Sequence, residues 1–150
     1  MEVNEIGVEE CRQVLQRASL GRLGCSLDNQ PYVIPIHFAY DGDYLFTFST
    51  FGQKVKWMRA NPKVCVQTDE IKNDVEWISV IVYGEYEELD EPQYAAERKH
   101  ATSLLAKRYH WWLNALGERQ MKVGENPIEP MFFQIRIQSI SGLRATEESR

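Results

Sequence analysis

Short apolar segments separated by tight polar turns constrain this chain more than any other feature. Leu20–Leu27 reads as a strand, Asp28-Asn29-Gln30 as a turn, and residues 31–40 as a second strand, so the pair forms a hairpin. Asp41-Gly42-Asp43 is a second turn, and residues 44–48 form a third strand. Residues 64–68, 76–89 and 131–140 supply three more, the last with Phe133, Ile135 and Ile137 alternating inward. Pro35 marks the second strand as an edge or a bulge, because proline cannot donate to a ladder.

Helical spacing occurs in three places. Cys11, Val14, Leu15 and Ala18 recur at i, i+3, i+4 and i+7, behind Glu9 and Glu10 in a first turn. Thr50 and Gln53 have capping-box spacing ahead of a helix that Asn61-Pro62 ends. Asp90 is placed to cap a third helix, which turns Tyr94, Ala101, Leu104 and Leu105 inward and which His110-Trp111-Trp112-Leu113 extends or follows. Residues 71–75 and 117–130 read as connections, and 147–150 as a frayed tail. Six strands joined mostly by turns, with no strand–helix–strand alternation, predict a mainly β protein. The architecture expected is an antiparallel barrel with peripheral helices, in one domain over residues 1–150.

Composition narrows the function. The chain has 150 residues, 43% hydrophobic and 26% charged, which suits one domain with a real core and excludes disorder. The formal charge of −5 speaks against nucleic acid as a partner. Neither a signal peptide nor an apolar run of membrane-spanning length is visible. Cys11, Cys25 and Cys65 are odd in number and widely spaced, so they read as reduced thiols of a cytoplasmic protein. His37, His100 and His110 lack metal-ligand spacing, and no metal site is expected.

One segment departs from the acidic balance. Residues 51–63 hold Lys54, Lys56, Arg59 and Lys63 and no acid, directly after Ser49 and Thr50. Free N–H groups at a helix start, hydroxyls at the cap, a lysine in the first turn and Gly52 for close approach suit a phosphate; a solvated helix with an ordinary cap is the alternative.

The segments Gly21-Arg22-Leu23-Gly24, Pro31-Tyr32-Val33-Ile34-Pro35-Ile36-His37, Ser49-Thr50-Phe51-Gly52-Gln53-Lys54, Trp57-Met58-Arg59-Ala60-Asn61-Pro62 and Trp77-Ile78-Ser79-Val80 keep the order and spacing of a known family. In these the chain resembles the pyridoxamine 5′-phosphate oxidase-like, FMN-binding split-barrel superfamily, in the branch of flavin-nucleotide-binding and nitroimidazole-resistance proteins. The resemblance implies a six-stranded antiparallel split β-barrel that dimerises with itself and holds FMN at the subunit interface; haem or a deazaflavin are the other cofactors it leaves open. Ser49 and Lys54 match positions that grip the FMN phosphate, with Thr50, Gly52 and Gln53 beside them. Val33, Ile34, Pro35 and Ile36 match the strand whose backbone follows the flavin ring, and Ser79 a polar position that reaches the ring edge. The implied activity is flavin-dependent oxidation or reduction of a small organic substrate, with a flavin carrier or sensor as the other reading. The oxidases' C-terminal Arg-x-His has no counterpart, since that region reads Ser141-Gly142-Leu143-Arg144-Ala145-Thr146. No catalytic side chain is identified. His37 is placed to face a flavin, and Trp111 and Trp112 to pack in the core, at a dimer seam or over a substrate.

Overall fold

The structure is a computed structural model that describes residues 1–49, 52–108, 122–123, 126–127 and 131–148. The elements run β1 (Glu2–Ile6), α1 (Val8–Arg17), β2 (Leu20–Leu27), β3 (Gln30–His37), β4 (Ala39–Asp41), β5 (Tyr44–Ser49), α2 (Gln53–Ala60), β6 (Lys63–Asn73), β7 (Glu76–Glu88), α3 (Ala95–Arg108), β8 (Lys122–Val123), β9 (Asn126–Pro127) and β10 (Met131–Thr146). The main sheet is antiparallel in every pairing, ordered β3-β2-β6-β7-β10-β5-β4, with β1 added alongside β10.

Mainly β architecture with peripheral helices is as expected, but the strand count is eight rather than six, and hydrogen bonding does not close the sheet. Two strands account for the difference. β1 was hidden by its polar sequence, and residues 31–40 divide at Phe38 into β3 and β4. These two strands are the sheet's free edges, so Phe38 joins the edges covalently where no ladder does. The Phe38 N–H is donated to the Ser19 carbonyl (2.9 Å), and the Thr47 hydroxyl to the His37 carbonyl (2.6 Å), which hold the seam. Phe38 itself is buried.

Other boundaries shift for identifiable reasons. The β2–β3 turn is two residues, Asp28 and Asn29, both with positive φ, the conformation that matches hairpin twist; Gln30 already pairs with Leu27. β6 continues through residues 71–73, because the ladder to β7 holds polar residues in place. β10 runs six residues beyond Ile140 along β7 and β1, with a register shift between Ile137 and Ser139. α3 begins at Ala95, not Asp90, although the Asp90 carbonyl accepts the Tyr94 N–H at 2.7 Å. Within the expected 117–130 connection, β8 and β9 pair. Thr50, His110, Trp111 and Trp112 lie outside the described residues.

The main core fills the concave side of the sheet: Leu23, Leu45, Val66, Val80, Phe133 and Ile135, closed at one side by Cys11, Val14 and Leu15 of α1. Each such side chain contributes roughly 1.5–3 kcal/mol by leaving water. A Cβ at Gly84 would collide with the Arg136 carbonyl, so a residue without a side chain lets β7 and β10 pack there. A second cluster, Ala39, Phe46, Leu89, Ala101, Leu105 and Phe132, fixes α3 against the outer face of β5 and β10. None of the described helices is long and apolar enough to cross a membrane.

Candidate functional site

Pleating sorts the β3 residues singled out above. Ile36 faces the core with Leu23, while Val33 and Pro35 look outward, and Val33 is 66% exposed. Register extends the outward row from Val33 to Gly24 on β2, Cys65 on β6 and Tyr83 on β7. Gly24 makes the dip in that row: a Cβ there would come within 2.8 Å of the Cys65 Sγ. The result is a shallow hollow of about 330 Å³ with almost wholly apolar walls, bounded by Pro31 and Tyr32 on one side and Lys63 on another.

α2 packs against β2, the strand that carries Gly24. Its Val55 and Met58 are buried, its Trp57 ring packs against Tyr32 at 5.8 Å, and the Asn61 amide donates to the Ser26 carbonyl (3.0 Å). Lys54, the second helical residue, lies near Cys25, which is buried in the main core and also borders the hollow. Burial pushes the Lys54 ammonium below the ordinary lysine value, partly offset by Cys25. Burial and the neighbouring Cys65 raise the Cys25 thiol, against a smaller lowering by Lys54, so Cys25 stays a neutral thiol. Ser49 is buried at the end of β5, and Gly52 caps α2 with extended backbone and no side-chain cap bond. Gln53 therefore opens the helix instead of closing a capping box, and its side chain is exposed.

Ser79 does not join this group. It shares the outward face, but it lies four residues along β7 from Tyr83, roughly 13 Å at ~3.3 Å per residue. It accepts a hydrogen bond from the Gln67 amide (3.0 Å), which also donates to Asp69 (3.0 Å), and Arg22 reaches the same carboxylate at 3.1 Å. It borders a separate hollow with Ile81, Ser141 and Leu143. His37 is partly buried at the Phe38 seam, and burial lowers its pKa, so it is neutral near pH 7. Among the described residues no three His, Cys, Asp or Glu side chains could hold a metal ion together.

Of the residues lining the hollow, Val33 alone was assigned to a site from the sequence; Gly24, Cys65 and Tyr83 are among those that were not. Alternation on β2, β6 and β7 does place these three outward, but the register that aligns them with Val33 is a property of the folded sheet.

Comparison with known proteins fits this geometry. Residues 7–144 match the family described as pyridoxamine 5′-phosphate oxidase. A curated but uncharacterised protein of Rhizobium meliloti (strain 1021) is 46% identical over 113 residues, 75% of each chain. The crystal structure of a FAD-binding protein from Mesorhizobium loti is 40% identical with a TM-score of 0.78, covering 98% of this chain and 99% of that one. A haem storage protein of Vibrio cholerae shares the fold alone, at 13% identity and a TM-score of 0.68, over 89% of this chain and 92% of that one. The chain belongs to the pyridoxamine 5′-phosphate oxidase-like split-barrel superfamily.

Proposed function

We propose that this protein binds FMN as a homodimer in the cytoplasm and uses it to oxidise or reduce a small organic substrate. The observation that carries the reading is the apolar hollow over Gly24, together with a half-buried lysine, Lys54, near Cys25, one of the residues that border it. A flavin ring system is flat and apolar with one polar edge, and its phosphate is an anion; the hollow suits the first and a half-buried ammonium the second. The 40% identical relative is described as binding FAD, which supports a flavin. FMN is favoured here because Ser49, Gly52 and Lys54 gather at one helix start, a grip for a terminal phosphate.

Bound flavin supplies hydride or electron transfer. The chain's own part is to hold and orient. Val33 and Tyr83 flank the ring site, Gly24 keeps its floor low, and Lys54 fixes the phosphate end. Val33, Ile71, Tyr83 and Leu143 are large apolar residues left exposed in a single chain, more than half of Val33, Ile71 and Tyr83. A second copy would cover them and exclude water from the flavin.

The test is a titration of the purified protein with FMN, read by flavin fluorescence and visible absorption. Saturable quenching at one FMN per chain is the expected result. No binding, or a Soret band with haem in place of flavin binding, overturns the reading. Reduction of bound FMN by a nicotinamide cofactor, with turnover by an acceptor, separates an enzyme from a carrier. Native light scattering checks the dimer.

A further inference from the structure

A second cleft opens on the same outer face, under α3 and away from the flavin hollow, with a volume of about 500 Å³. That lies within the ~300–1,000 Å³ of small-molecule sites. Its floor is Tyr44 and Phe46 of β5, Gln134 of β10 and Glu87 of β7; its wall is Tyr94 and the exposed Glu97, with His100 and Asp41 at the rim.

The polar groups here nearly all accept. Gln134 is 5% exposed, and its amide N–H is donated to Glu87 (3.1 Å). Its Oε1 accepts nothing from the described residues, so a buried side chain presents an open carbonyl to the cleft. That N/O orientation follows from the carboxylate partner, which can only accept. Glu97 has no partner among the described residues, whereas Arg98 beside it is taken up by Glu91 (3.8 Å) and the Phe132 ring. His100 is held by Asp41 at 2.7 Å, and Arg136 reaches Glu87 at 3.7 Å while paired with Glu85 at 3.0 Å. Counting Asp41, Glu87 and Glu97 against Arg136 and a protonated His100, the cleft stays negative. Tyr44, Phe46 and Tyr94 add ring surface, with Tyr44 and Phe46 centroids 6.0 Å apart.

We propose that this cleft binds an organic ammonium ion with an apolar body. Its N–H groups would be donated to Gln134 Oε1 and the Glu97 carboxylate, and its charge would lie against ring faces that attract cations. The inference does not rest on the flavin reading, since the two sites share no lining residue.

Isothermal calorimetry on the whole protein tests it, with phenethylammonium as the probe, neutral 2-phenylethanol and anionic phenylacetate as comparisons. Saturable binding of the ammonium, with at most weak binding of the other two, is expected. Glu97→Gln, an exposed change that leaves folding intact, should weaken it by on the order of tenfold, as loss of one charged hydrogen bond does. Tyr44→Ala should weaken it further, and Glu91→Gln should leave it unchanged. Failure to bind at millimolar ammonium, equal binding of the alcohol, or indifference to both Glu97→Gln and Tyr44→Ala overturns the proposal.

Discussion

The apolar hollow and the acidic cleft lie on one face of one sheet and differ in almost everything else. Tyr83 and Glu87 are four residues apart on β7, roughly 13 Å at ~3.3 Å per residue. Around Tyr83 the surface is apolar, with Lys63 at its margin; around Glu87 it is acidic and backed by a helix. The shared strand shows that pleat direction alone says nothing about chemistry. What differs is the company brought across the ladder: Gly24 and Cys65 in one place, Gln134 and Phe46 in the other.

The strongest way to separate the two regions is Phe132→Ala. It empties the cluster under α3 and should cost about 3–5 kcal/mol in chemical denaturation, while FMN affinity of the folded protein is unchanged. A parallel loss of FMN binding would mean that the regions are not independent.

Lys54→Ala probes the other side. Loss of a charged partner should weaken FMN by about 1.5–3 kcal/mol, tenfold or more, in a fluorescence titration. Lys56→Ala, an exposed change one turn face away, should stay within about twofold. Equal effects would remove Lys54 from the site.

Burial of Lys54 also predicts opposite pH responses with and without ligand. FMN binding needs the charged form, so affinity should fall as pH rises through the lowered pKa, earlier than an ordinary lysine would allow. Without ligand, the unfolded chain holds that proton more tightly than the folded one. Stability should therefore rise with pH between the lowered value and the ordinary 10.5. Titrations and melts from neutral pH to about 10 check both signs, and Lys54→Met should flatten both.

A smaller effect belongs to neither region. The Glu10 carboxyl is held below its usual value by a hydrogen bond and charge from Arg144, which ties α1 to β10. Its contribution is present above the ordinary carboxyl range and lost as pH falls through the lowered value. Glu10→Gln should shrink the acid-side loss in denaturant melts and leave both ligands' affinities alone.

Much of this was legible in the chain. Cys11, Val14 and Leu15 are all fully buried, as their spacing required, and Pro35 does sit on an edge strand. Leu23, Val66, Val80 and Val82 face inward as alternation demands. Other features were not local. β1 is a polar strand, Glu2–Ile6, recruited by the far end of β10, and no pattern within five residues announces such a partner. Lys54 stood out as a lysine in the first turn, but its burial near Cys25 depends on how α2 is clamped by Trp57 and Asn61. Ser79 shares the outward face with Tyr83 but lies four residues further along β7, beside a different hollow, a placement that register alone decides.

The outermost strand has a further consequence, for solubility. An exposed sheet edge is a template on which other chains can polymerise. β3 carries Pro31 and Pro35 on that edge, and neither has an N–H to offer an incoming strand. The same residues that leave the edge open thereby make it a poor seed for aggregates.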